Sequence, residues 1–264
     1  MFNNPVDVIN TNNWIKECND SQIKLGIKNP ILISSDGHLN RQNLKTIFPL
    51  KSIFCDVNTD PTFKSCQLAI NFIEEKEFDG VIALGGGSVM DTAKAVKAAI
   101  ASEIYNLSEL LSLTKTYKRS IPSIFIPTTH GTGSEVTMWG TIWDIDNKKK
   151  YSISHVDLYP DVAILDGNLT LSLPIDISII TSLDALSHSF ESIWNRNANP
   201  KSTSYAIKAI TMILQNIELL KQKPRDMDIR NNLLIASNKA GLAFSNTKTA
   251  AAHSLSYPLT LNYN

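Results

Sequence analysis

The run Val81-Ile-Ala-Leu-Gly85-Gly-Gly-Ser-Val-Met-Asp-Thr-Ala-Lys-Ala95 constrains this chain more than any other segment. An apolar, β-branched stretch meets three consecutive glycines, and helix-forming residues follow at once. The pattern reads as strand, glycine loop, helix. Three glycines in a row cost backbone entropy that a plain turn does not need. Without Cβ atoms the N–H groups of such a loop can approach a phosphate, and the helix N-terminus adds positive potential. Ser88 is placed to cap the helix and to donate to that phosphate. Gly85, Gly86, Gly87, Ser88 and Asp91 are therefore the first candidate cofactor-binding residues. The run is neither Gly-x-Gly-x-x-Gly, since position 90 is Met, nor a P-loop, since no Gly-Lys-Ser/Thr follows. A tight strand-to-helix turn is the plain alternative.

Around this unit, short apolar runs alternate with helical patterns. Strands are expected at Pro30 to Ser34, Ser52 to Cys55, Gly80 to Leu84 and Ser123 to Ile126, with an amphipathic helix over Thr62 to Lys76. Strands that are apolar throughout fit a parallel sheet buried on both faces. From about Pro174 the strand signals fade. Helices are expected at 176–195, 201–220, 227–244 and 249–259, punctuated by Asn199-Pro200 and by the segment around Pro224. The fold class is thus an α/β dinucleotide-binding domain with a parallel sheet over residues 1–170, followed by an all-helical domain over 171–264.

Composition narrows the partners. Lys plus Arg and Asp plus Glu are 25 each in 264 residues, so no net field draws the chain to nucleic acid or to an anionic membrane. No apolar run is long enough to span a bilayer. The N-terminal residues lack the basic start and apolar core of a signal peptide. Cys18, Cys55 and Cys66 are few and odd in number, as expected of reduced thiols in a cytoplasmic protein. The basic run Lys148 to Lys150 reads as a solvated turn.

Three further features carry chemistry. Asp184 and His188 are four apart, so on a helix both leave one face and could grip a divalent transition metal. A helix salt bridge is the alternative. His253, on a helix of small residues that permits close packing, is a candidate third ligand, and the three types suit Fe(II) or Zn(II). The segment Ile126-Pro-Thr-Thr-His-Gly-Thr-Gly-Ser-Glu-Val-Thr137 is dense in hydroxyls and glycines; it could bond a pyrophosphate, line a nicotinamide pocket or be a surface loop. Asp36, which ends an apolar strand, could bond ribose hydroxyls and repel a 2′-phosphate, or cap a helix.

Gly85 to Asp91, Pro127 to Glu135, Pro160 to Asp166 and Asp184 to His188, in that order, resemble the iron-containing (group III) alcohol dehydrogenase family over nearly the whole chain. The resemblance implies that the glycine loop holds the pyrophosphate of NAD(H), with NADP(H) less favoured, and that Asp36 contacts the adenine ribose. It implies that Thr128, Thr129 and Thr132 line the cofactor cleft, that Lys150 lies near the cofactor, and that Asp184, His188 and His253 bind Fe(II) or Zn(II). A fourth family ligand, the His of a Pro-His-Gly motif, would fall just beyond Asn264. The chain therefore reads as C-terminally truncated and its helical domain as incomplete. Two other departures are Tyr257, where the family often has a His one turn past the ligand that aids proton transfer, and Ser182, where a small residue is usual.

The segment Ser245 to Leu259 is similar to the phosphonoacetaldehyde reductase branch of that family. Lys248 there could pair with a phosphonate dianion, and His130 could also face the substrate. The proton would come through water, a ribose hydroxyl or Tyr257, and Lys248, Tyr257 and His130 form the expected catalytic set. The implied reaction is metal-assisted reduction of phosphonoacetaldehyde to 2-hydroxyethylphosphonate, in a homo-oligomer when the protein is complete. The alternatives are a dehydrogenase of simple alcohols or polyols within the same fold, as in the glycerol dehydrogenases, and a catalytically inactive nucleotide-binding fragment.

Overall fold

A computed structural model of the chain describes residues 2–57, 59–112 and 117–263. Its elements run in order β1 (Asp7–Thr11), α1 (Trp14–Leu25), β2 (Pro30–Ile33), α2 (Asp36–Arg41), β3 (Ile53–Phe54), α3 (Phe63–Ile73), β4 (Gly80–Gly85), α4 (Gly87–Ser102), α5 (Leu107–Ser112) and β5 (Ser123–Pro127). A hairpin of β6 (Trp139–Asp144) and β7 (Lys149–Ser154) follows, then β8 (Val162–Asp166). Four helices complete the chain: α6 (Ile175–Trp194), α7 (Pro200–Gln222), α8 (Met227–Thr247) and α9 (Ala251–Tyr263).

Six strands form one sheet in the order β1-β8-β5-β4-β2-β3, and every pairing is parallel. The period of two sorts its side chains between two cores. Ile31, Ile33, Val81, Ala83 and Phe125 face one side, with α3 and α4. Leu32, Ile82, Leu84, Ile124 and Ile126 face the other, with Trp14 and Cys18 of α1. Both faces are dry, which is why β2, β4 and β5 are apolar at every position but Ser123. Burial pushes the Cys18 and Cys66 thiols up to about 12, in keeping with structural cysteines.

The C-terminal helices start where the sequence punctuates them. Asn199 caps α7 through the Ser202 N–H, Ser202 answers to the Asn199 N–H, and Pro200 occupies the first helical position. Asp226 caps α8. The buried Arg230 of α8 ties these helices to the segment that follows β8. It donates to the carbonyls of Thr170 (2.7 Å), Leu173 (3.1 Å) and Pro224 (2.8 Å), and to Ser178 Oγ (2.7 Å). Among the described residues no helix is long and apolar enough to cross a membrane.

Two expectations need correction. Lys149 and Lys150 begin β7, and the turn lies just before them. Ser88 does not cap α4: Gly86 holds the cap position, and the Ser88 hydroxyl accepts from the Asp60 N–H at 3.2 Å.

Candidate active site

The glycine turn joins β4 to α4 at the C-terminal end of the sheet, and the hydroxyl-rich loop after β5 packs directly on it. A Cβ on Gly87 would meet Thr132 Cγ2 at 2.5 Å, and one on Gly86 would meet Thr129 Cγ2 at 3.0 Å. The glycines thus let two threonines and a bare helix N-terminus share one small volume, which is a cradle suited to a phosphate. Behind it, the Asp91 carboxylate accepts from Ser134 Oγ (2.8 Å) and from the Thr141 N–H (2.9 Å). The fully buried Lys94 donates to Ser134 O and Oγ, Thr137 Oγ1 and Trp139 O, all at 2.7–2.8 Å. Burial pushes the Lys94 ammonium down to about 8, against the pull of Asp91 and Glu135. This network pins the loop and the hairpin to α4.

Across the cleft, α6 and α9 bring Asp184, His188 and His253 together. One ligand atom from each lies within 4.8 Å of the others. His253 Nε2 is 3.4 Å from Asp184 Oδ1, and His188 Nδ1 is 3.8 Å from Asp184 Oδ2. The two imidazoles stack at 4.2 Å, and Phe244 of α8 backs His188 at 4.2 Å. Burial would raise the Asp184 carboxyl, but His188 and His253 beside it hold it below its ordinary value. Burial keeps His188 below the ordinary histidine range and so favours the neutral, ligating ring. A carboxylate and two imidazoles converging in this way are a donor set for a first-row transition ion.

Between these two walls lies a cleft of about 1040 Å³. Gly86, Gly87, Ser88, Asp91, Thr129 and Thr132 line it on one side, and Asp184, His188 and His253 on the other. Lys150, Lys248 and Tyr257 line it as well. The Lys150 ammonium sits 3.6 Å above the Tyr257 ring, whose edge meets Trp143 of the hairpin. Lys248 has φ 67° and ψ 175°, a backbone state that L-residues rarely adopt. Its N–H donates to Phe244 O at 2.7 Å.

Four predicted residues stand elsewhere. His130 does not face the cleft. It is fully buried, neither ring nitrogen has a hydrogen-bond partner among the described residues, and burial together with the Arg230 charge pushes it down to about 3. The chain alternates direction through the loop, so Thr129 points into the cleft and His130 points away. Thr128 is buried beneath the cleft, its N–H donating to Gly85 O at 3.0 Å. Gly85 lies within β4, where a Cβ would strike Val89. Asp36 is exposed in the first turn of α2, next to the cleft-lining Ser35.

The sequence reading passed over Glu191. It lies three residues after His188 on the same face of α6 and is 1% exposed. A carboxylate one turn after His188 and two turns after Asp184, on the same face of the helix, is the signal in the sequence.

Comparison with known proteins places these features in context. The family described as iron-containing alcohol dehydrogenase matches residues 5–167, and the C-terminal family of Fe-containing alcohol dehydrogenases matches residues 178–264. The chain is 38% identical over 198 residues to a protein of Escherichia coli named probable alcohol dehydrogenase EutG; the match covers 75% of this chain and 50% of that protein. It is 35% identical over 247 residues to long-chain-alcohol dehydrogenase 1 of Geobacillus thermodenitrificans, covering 89% of this chain and 62% of the relative. The chain therefore spans about half to three fifths of the length of these curated relatives. A crystal structure of sulfoacetaldehyde reductase from Bifidobacterium kashiwanohense in complex with NAD+ superposes with a TM-score of 0.91 at 27% identity, over 100% of this chain and 71% of that one.

Proposed function

This chain belongs to the iron-containing alcohol dehydrogenase family, and we propose that it forms the cofactor and metal cleft of an NAD(H)-linked reductase of small anionic aldehydes, phosphonoacetaldehyde foremost. One observation carries this reading: a glycine-threonine phosphate cradle and an Asp-His-His donor set face each other across a single cleft. The donor chemistry fits Fe(II) or Zn(II), with iron favoured by the family, and the cradle fits a dinucleotide pyrophosphate. Bound there, the metal would supply Lewis acidity to a carbonyl oxygen and the nicotinamide would supply hydride.

The chain's own residues do the rest. Gly86, Gly87 and the first turn of α4 bind the pyrophosphate, with Thr129 and Thr132 fixing its register. Asp184, His188 and His253 hold the metal. Trp143 and the Tyr257 ring wall off solvent, and the Tyr257 hydroxyl delivers the proton that completes the alcohol. Lys248, at the cleft mouth, pairs with the substrate's phosphonate as a point charge. Its unusual backbone costs about 1–3 kcal/mol, and such strain gathers at ligand clamps. The neighbour named sulfoacetaldehyde reductase supports a two-carbon aldehyde carrying a tetrahedral anion.

The test is NADH oxidation by the full-length protein loaded with Fe(II) or Zn(II), comparing phosphonoacetaldehyde, sulfoacetaldehyde and neutral aldehydes of similar size. Losing one charge-assisted contact costs about 1.5–3 kcal/mol. Lys248→Ala should therefore lower kcat/KM for the anionic aldehydes by roughly 10–100-fold and leave the neutral ones unchanged. Equal turnover of neutral and anionic aldehydes by the unaltered protein would discard the anionic substrate and leave a general alcohol dehydrogenase.

A further inference from the structure

The metal-facing nitrogen of His253 is set from behind. Glu191 Oε2 accepts from His253 Nδ1 at 2.6 Å and from the Ala250 N–H at 2.8 Å. Glu191 Oε1 accepts from the Ala252 N–H at 2.6 Å and the His253 N–H at 3.3 Å. Four donors thus converge on one buried carboxylate, three of them main-chain N–H groups at the start of α9. Those groups have no partner within their own helix, and Glu191 supplies one from α6. The other contacts of α9 are with the hairpin, through Tyr257, and with the His188 ring; its residues are mostly exposed, and Pro258 interrupts its hydrogen bonding.

We propose that Glu191 is a positioning residue that builds the metal site by locking α9 in place and fixing the tautomer of His253. An ionised carboxylate only accepts hydrogen bonds. Its contact with Nδ1 therefore puts a ring proton there, so Nε2, 3.4 Å from Asp184 Oδ1, is the nitrogen left to face a metal ion held between the two. Such carboxylate-histidine pairs orient a ligand and raise its basicity. Glu191 is not among the residues that line the cleft; it acts through His253. The inference rests on the metal reading of the Asp184, His188 and His253 cluster.

The experiment measures Co(II) affinity by chelator competition and the Co(II) visible spectrum for the full-length protein and for Glu191→Gln. The glutamine keeps the size but turns one acceptor into a donor, opposite either Nδ1 or the α9 N–H groups. Co(II) affinity should fall about 10–100-fold and the ligand-field bands should shift. NAD+ affinity, read by calorimetry at the glycine cradle, should stay within about twofold as a control on folding. Wild-type Co(II) affinity and spectrum in Glu191→Gln would overturn the inference. Absence of Co(II) binding by the unaltered protein would overturn the metal reading as well. Histidine 15N shifts of the unaltered apo-protein test the contact without any variant: a proton on His253 Nδ1 supports the proposal, and an unprotonated Nδ1 overturns it.

Discussion

His130 stands between two residues of a loop that faces the cleft, yet it is fully buried with no partner for either ring nitrogen among the described residues. No pattern of residue types signals this; only the direction of the backbone through the loop decides it. The consequence is a pH dependence with a definite sign. Its pKa is about 3 in the fold against 6.5 unperturbed, so the fold holds the ring neutral. Stability from this residue is complete above about pH 6.5 and is lost as pH falls toward 3, because the unfolded chain takes up the proton first. His38, which burial and Arg41 push down to about 4, adds in the same direction. Urea denaturation across pH 7 to 4 should show a falling stability that flattens in His130→Phe, by up to about 1.4 kcal/mol per pH unit. An unchanged slope in that variant would contradict the buried, neutral assignment. Glu191 differs from His130 in that its place one turn after His188 on the same helix face is itself a pattern in the sequence.

Legibility at the scale of elements followed burial. β2, β4 and β5 were readable because both their faces are dry, so all their residues but Ser123 are apolar. β1 escaped notice: it is an edge strand, Asp-Val-Ile-Asn-Thr, and is not fully buried at any position. The β6–β7 hairpin escaped too, because Lys149 and Lys150 mimic a solvated turn while pairing with Asp144 and Trp143. The four C-terminal helices were legible from their period, and α7 and α8 also from their caps. What no periodicity reveals is how the cleft-lining loop is held, and Lys94 does that. Its four acceptors belong to the loop and to the first residue of the hairpin, so Lys94→Met strips them of a common donor and leaves Asp91 and Glu135 buried without their cation. A loss of about 3–5 kcal/mol is expected, read by chemical denaturation, with weaker NAD+ binding at the cradle that the loop helps to form. A fully stable Lys94→Met with unaltered NAD+ affinity would show that the network does not position the loop.

At the scale of the molecule, the sheet offers its C-terminal edge and the helices offer α6 and α9, and the chemistry lies where these meet. The glycine turn and the threonine loop belong to the sheet side, while Asp184, His188 and His253 belong to the helices. Neither half alone carries both the glycine-threonine cradle and the Asp-His-His donor set. Spacing within one helix suggested Asp184 and His188; only the packing of α9 against α6 and the hairpin brings His253 to 3.4 Å from Asp184. Anomalous diffraction at the iron edge, from crystals of the full-length protein loaded anaerobically with Fe(II) and NAD+, tests this most directly. One strong peak bounded by Asp184, His188 and His253 is expected, with dinucleotide density against Gly86 and Gly87. Iron bound elsewhere with that cluster empty, or a dinucleotide away from the glycine turn, would contradict it.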